Sequence, residues 1–378
     1  MVCGSSTFGG AFLCKQIPFL IDYPGENVYH DTYSMICILE ALHMDYPLHV
    51  HDVHISDPFI LADPVSGKYY LYAAVFNPDR FPDQKRRGAF HALVSEDLIH
   101  WSAPIQVFDA QETGFWADLD YWAPECHIWQ GKYYIFSTFR AEGMYRRCQC
   151  LVADSPLGPF RPIEAEPVTP SGWQCLDGTL YVDKKGKPWM VFCHEWLQVY
   201  DGQVCAIPLS EDLGHAVGEP IILFRASDAP WGARLAGQDA HNGFVTDGPF
   251  LHRLPDGKLI MLWSNFCKEG YATGYAVSRS GEIFGPWVQQ EDPLYALDGA
   301  HSMLFRTFSG QLMMALHCPN VHPRKRMLLF EMDDSRGGLR IINECTGNWF
   351  NAIGGNTAFR GFRETLREAP AFSRPTKK

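Results

Sequence analysis

DGTLYVDKKGKPWMVFC, residues 177–193, decides the fold. A short run of β-branched and aromatic residues leads into a Lys-Lys-Gly turn. A second such run follows, so the segment predicts a β-hairpin. Four further segments repeat the pattern: DPFILADPVSGKYYLYA (57–73), PECHIWQGKYYIFST (124–138), DGPFLHRLPDGKLIMLWS (247–264) and HSMLFRTFSGQLMMALH (301–317). In four copies a leading polar residue stands nine or ten places before the turn glycine: Asp57 and Gly67, Asp177 and Gly186, Asp247 and Gly257, His301 and Gly310. The copy at Pro124 is tighter, with Glu125 six places before Gly131.

A second pattern follows several hairpins, as ALVSEDLIHW (92–101), LVADSPLGPF (151–160), AIPLSEDL (206–213) and AVSRSGEIFGPW (276–287). It reads as a third strand, a Ser/Asp/Gly turn and an aromatic residue on a fourth strand. Five units of three to four strands predict an all-β, five-bladed β-propeller. A β-sandwich would not repeat the polar residue, hairpin, glycine and aromatic in one order. The leading polar residues are 68, 52, 70 and 54 positions apart, so long loops are expected on one face. The propeller is assigned to 51–378 and residues 1–50 to an N-terminal extension packing on it, with a short helix expected around Tyr33–His43.

Composition narrows the partners. The formal net charge of −11 argues against nucleic acid and anionic membrane surfaces. No run of 18 apolar residues occurs, so no membrane span is expected. The 12 cysteines include no C-x-x-C pair, and Cys148 and Cys150 lack zinc spacing. They read as buried free thiols. With no basic, long-apolar leader at the start, a cytoplasmic location is expected. Oligomeric state is not readable.

The first strand of each propeller blade lines the central channel. The strand starts Asp57, Glu125, Asp177, Asp247 and His301 are therefore expected to converge within roughly 10 Å. Crowded carboxylates raise one another's pKa, which points to cation binding or acid–base chemistry. Glycoside hydrolysis by two carboxyl groups fits, and makes an oligosaccharide or glycoside the expected partner. Trp122, Trp173 and Trp196 flank the strand starts and are candidate platforms for sugar rings.

At these residues the sequence resembles glycoside hydrolase family 43 from about Asp57 to Leu339. The resemblance implies an inverting exo-glycosidase acting on α-L-arabinofuranosides or β-D-xylosides. It implies Asp57 as general base and Asp177 as the carboxyl that tunes and orients the acid. It also implies Arg326 as a contact of Asp177. No cofactor is required for the chemistry; a structural calcium on the axis beside His301 is implied. The family's acid is the Glu of Glu-Gly-Pro, whereas this chain has Asp247-Gly248-Pro249. Asp is about 1.5 Å shorter in reach. Asp247 itself, a substitute donor among Glu125, His194 and Glu195, or a degenerate site that only binds carbohydrate are the alternatives. A transferase or phosphorylase using Arg324-Lys325-Arg326 as a basic pocket is a further one.

Overall fold

The computed structural model describes residues 45–77, 80–81, 88–236 and 242–346. The helix expected at Tyr33–His43, and the extension as far as residue 44, lie outside the described residues. Leu48–His49 form a short strand paired antiparallel to His100–Trp101.

Five four-stranded antiparallel sheets follow one another along the chain, the last four built from consecutive strands and the first interrupted by the His100–Trp101 strand. Their innermost strands are Phe59–Asp63, Leu119–Trp129, Cys175–Val182, Asp247–Arg253 and Ala300–Arg306. Each innermost strand forms a hairpin with the next strand, as expected. The turn glycines Gly67, Gly131, Gly186, Gly257 and Gly310 have φ between 67° and 89°, with open space where a Cβ would lie. Backbone conformation, not crowding, therefore selects glycine there. One expectation needs correcting. Trp101, read as part of a fourth blade strand, leaves blade one to pair with Leu48, and Ile105–Asp109 is that blade's outer strand.

The blades adhere through apolar faces. Phe90 and Phe108 of blade one pack with Phe115, Tyr121 and Phe139 on the side of blade two. Separate buried clusters join blades two and three, three and four, and four and five. Blades one and five share no strand. The circle closes instead through a buried cluster in which Leu48, Val50, Val53 and Ile55 pack with Met303, Phe305, Met327 and Leu329. Eight of the nine described cysteines are buried, and all nine are free thiols. No helix among the described residues is long and apolar enough to cross a membrane.

Candidate active site

Each innermost strand enters its blade through a left-handed residue at an equivalent place, blade two carrying a second at Asp120 (φ 49°). Those at the equivalent place are Asp57 (φ 52°), Ala123 (45°), Asp177 (56°), Gly248 (50°) and His301 (55°). In blades two to five the strand register slips at this point, as in a β-bulge. Such a conformation costs a non-glycine residue about 1–3 kcal/mol and persists where surrounding structure enforces it. Here it interrupts the side-to-side alternation of the strand, so that Leu176 and Asp177 both line one cleft.

The backbone N–H of the left-handed residue is held by the preceding blade. Asp177 N–H donates to Thr138 Oγ1 (2.8 Å), His301 N–H to Ser264 Oγ (2.8 Å) and Asp57 N–H to His317 Nδ1 (3.1 Å). Thr138, Ser264 and His317 occupy equivalent places on their second strands, opposite Trp122, Asp247 and Ala300.

This register corrects the expected ring. The equivalent residues are Asp57, Ala123, Asp177, Gly248 and His301. Asp247 enters one residue earlier, level with Trp122, Leu176 and Ala300. Glu125 enters two residues later than Ala123, level with Thr179. It is buried with His127 Nε2 3.2 Å from its carboxylate, and it does not line the cleft.

A cleft of about 280 Å³ opens at the strand entrances, lined by Asp57, Asp177, Asp247, His301, Trp122, Glu195 and Trp196 among others. His301 is central: its Nδ1 lies 3.3 Å from Asp57 Oδ1 and 3.7 Å from Asp177 Oδ2. Gly248 N–H donates to Asp177 Oδ2 (2.8 Å). A Cβ on Gly248 would stand 2.9 Å from the His301 ring, so this position needs glycine for space as well as for φ. Gly248→Ala is expected to destabilise the fold by about 1–3 kcal/mol. Differential scanning calorimetry should show a Tm lowered by several degrees; an unchanged Tm would mean that the His301 ring yields freely.

The three aspartates experience different environments. Burial pushes Asp57 upward, but the imidazoles of His301 and His317 and the ammonium of Lys325 prevail and hold it below the usual carboxylate range. Burial, followed by the negative charge of Asp57, raises Asp177 well above that range. Burial and the charge of Asp177 push Asp247 up to about 7. Near neutral pH Asp57 is therefore ionised, Asp247 is poised close to half-protonation, and Asp177 is biased toward its protonated form.

Several lining residues went unnoticed in the sequence. Tyr271 donates its hydroxyl to Asp247 Oδ2 (2.8 Å), and its ring stacks on His317. Tyr271 reaches the cleft because the Leu259–Cys267 and Gly270–Ser278 strands run long and are joined by only Lys268-Glu269. His317 Nδ1 lies 3.1 Å from the Asp57 backbone N and 3.2 Å from Asp57 Oδ1, and its Nε2 meets Asn320 Oδ1 (3.2 Å). Burial lowers the His317 pKa, and the Asp57 carboxylate opposes that shift. The recurrent place shared with Thr138 and Ser264 is the sequence signal that could have found His317.

Trp122 stands at the rim, 40% exposed, with the Arg146 guanidinium 4.3 Å from its ring centroid. Arg146 also donates to both oxygens of Glu195 (3.0 and 2.8 Å) and to Asp120 Oδ2 (2.9 Å). Burial raises the Glu195 pKa and the Arg146 charge opposes it, with a net upward shift. Trp173 and His194 stack face to face at 4.2 Å, and His194 Nε2 meets Gln198 Oε1 (2.8 Å). Neither lines the cleft. Arg326, expected beside Asp177, instead donates to the carbonyls of Pro323 and Lys325; Lys325 lines the cleft in its stead.

The residues suit a calcium cage poorly. Calcium takes six to eight oxygen ligands. His301 offers one buried nitrogen without a partner, Nε2. Among the described residues no group of three or more His, Cys, Asp or Glu side chains is arranged to hold a metal ion.

Comparison with known proteins places this geometry in context. The model of a family described as Glycosyl hydrolases family 43 matches residues 49–332. A crystal structure described as an endo-arabinase from Bacteroides thetaiotaomicron VPI-5482 superposes with a TM-score of 0.71 at 41% identity, covering 77% of this chain and 99% of that one. The xylosidase/arabinosidase 43A of Humicola insolens is 29% identical over 167 residues, 40% of this chain and 48% of that protein. An extracellular exo-α-(1→5)-L-arabinofuranosidase of Cellvibrio japonicus is 23% identical over 215 residues, 52% of this chain and 59% of that protein. The chain thus spans about half the length of the curated relatives it matches.

Proposed function

Because the chain belongs to glycosyl hydrolases family 43, we propose that it hydrolyses O-glycosidic bonds with inversion. Its substrates are then non-reducing terminal α-L-arabinofuranosyl or β-D-xylosyl residues. The observation carrying this reading is the division of protonation across one cleft. Asp57 is held ionised, and Asp247 is held protonated to about pH 7.

In the reaction Asp57 takes a proton from water as the water oxygen bonds to the anomeric carbon. The glycosidic C–O bond breaks on the opposite face, and Asp247 gives its proton to the departing oxygen. Both carboxyls return to their starting states by exchange with solvent. Asp177 lies within reach of the same imidazole nitrogen as Asp57 and accepts from Gly248, next to Asp247. It thereby fixes base and acid relative to each other. Inversion requires acid and base carboxyls roughly 6.5–9.5 Å apart, with water between them. The open face of Trp122 offers a surface for a sugar ring, and Arg146 fixes the ring from the other side.

The arabinose- or xylose-directed names of the relatives support the pentose specificity. The small cleft volume supports removal of one terminal sugar at a time. A panel of aryl α-L-arabinofuranosides, β-D-xylosides and β-D-galactosides tests the sugar, and proton NMR of the first-formed anomer tests inversion. Turnover of a pentoside giving the inverted anomer is expected, and linear α-1,5-arabinan should yield monosaccharide from the start. Early retention of configuration would refute inversion; early mixed oligosaccharides would refute the exo mode.

A further inference from the structure

We propose that Tyr271 is the positioning residue of the acid: its phenol holds one oxygen of Asp247 so that the other faces the leaving group. The inference rests on the proposed roles of Asp57 and Asp247 and adds the residue that makes a side chain this short effective.

Asp247 has a short stem, and it leaves the strand one residue before the backbone turns left-handed at Gly248. Its one side-chain hydrogen bond to a described residue is the 2.8 Å contact from the Tyr271 hydroxyl. That hydroxyl is itself fixed. Tyr271 is 4% exposed, its ring lies 5.7 Å from His317 at an interplanar angle of 28°, and Phe266 packs on it at 5.1 Å. Its N–H faces Asp298 Oδ1 (3.4 Å). His317 in turn holds Asp57, its Nδ1 lying 3.2 Å from the carboxyl Oδ1 and 3.1 Å from the backbone N. One packed pair, Tyr271 on His317, therefore carries the acid on a hydroxyl and the base on a ring nitrogen. The separation of the two carboxyls is set by rigid rings rather than by flexible stems.

The geometry has a second consequence. A carboxyl one methylene longer would be driven about 1.5 Å toward a phenol already at hydrogen-bonding distance. Asp247→Glu should therefore be impaired while the hydroxyl is present and relieved when it is removed.

The test compares wild type, Tyr271→Phe, Asp247→Glu and the double variant on aryl α-L-arabinofuranosides of graded leaving-group pKa, with Asp57→Asn as control. Circular dichroism and Tm verify that each variant is folded. Tyr271→Phe should lower kcat roughly 10- to 100-fold on the poorest leaving group and several-fold less on dinitrophenolate, with KM little changed. The double variant should be at least about 10-fold more active than the product of the single losses allows. Equal losses on every leaving group, or strictly multiplicative losses in the double variant, would overturn the inference. So would a Tyr271→Phe enzyme equal to wild type. If that result accompanies inactivity of Asp57→Asn, the hydrolase reading stands and only the role of Tyr271 falls. A wild type inert on every glycoside would instead refute the reading beneath it.

Discussion

Replacing Asp57 by Asn is expected to lower kcat on the best aryl pentoside by on the order of 10³- to 10⁴-fold, with fold and sugar affinity retained. The amide is isosteric but cannot accept a proton from water. The charge it removes is the one that His301, His317 and Lys325 surround. The backbone bond from Asp57 N–H to His317 Nδ1 does not involve the side chain and should persist. Steady-state kinetics with calorimetric titration of a monosaccharide would measure both quantities. Near-normal turnover would remove Asp57 from the chemistry. Loss of sugar binding together with turnover would make it a binding group instead.

Asp247→Asn is expected to cost about 10²- to 10⁴-fold on substrates with poor leaving groups and little on dinitrophenyl glycosides, whose leaving group departs without a proton. The same variant should also change stability. Asp247 is raised from 3.8 to about 7 in the fold, so between those values the folded state binds more protons than the unfolded chain. Its contribution is complete below the unfolded pKa and is lost as pH rises through about 7. An amide has no proton to lose. Asp247→Asn should therefore raise Tm by roughly 2–5 °C relative to wild type at pH 8, and by less at pH 5. Equal shifts at both pH values would contradict the elevated pKa.

The hairpins, the five-fold repeat and the positions of Asp57, Asp177 and His301 were legible in the sequence. Strand periodicity and turn glycines are local signals, and one polar residue per unit marks the channel. The register of the fourth blade was harder to read. Asp177-Gly178 and Asp247-Gly248 look alike, yet Gly248 is the structural equivalent of Asp177. Counting from the turn does not settle it: Gly248 stands nine places before the turn glycine, like Asp177 and His301, but Asp57 stands ten, like Asp247. Tyr271 and Arg146 gave no such signal. Tyr271 reaches the cleft from a second hairpin, and Arg146 holds the cleft residues Trp122 and Glu195 from a loop; both approaches are set by packing between distant segments. Arg326 carries the opposite lesson. A basic residue near the fifth blade suggested a partner for Asp177, but local carbonyls at Pro323 and Lys325 take its guanidinium.

The central claim is that a short carboxyl, Asp247, supplies the proton and Asp57 removes one. The pH dependence of kcat/KM on a 4-nitrophenyl pentoside, for wild type and Asp247→Asn in parallel, tests it most directly, because this ratio reports ionisations of the free enzyme. Wild type should fall tenfold per pH unit above an inflection near 7, while Asp57 keeps activity flat on the acid side to below the usual carboxylate range. In Asp247→Asn the alkaline limb should be absent. An alkaline limb near pH 7 that survives in that variant would assign the proton to another group and contradict the account.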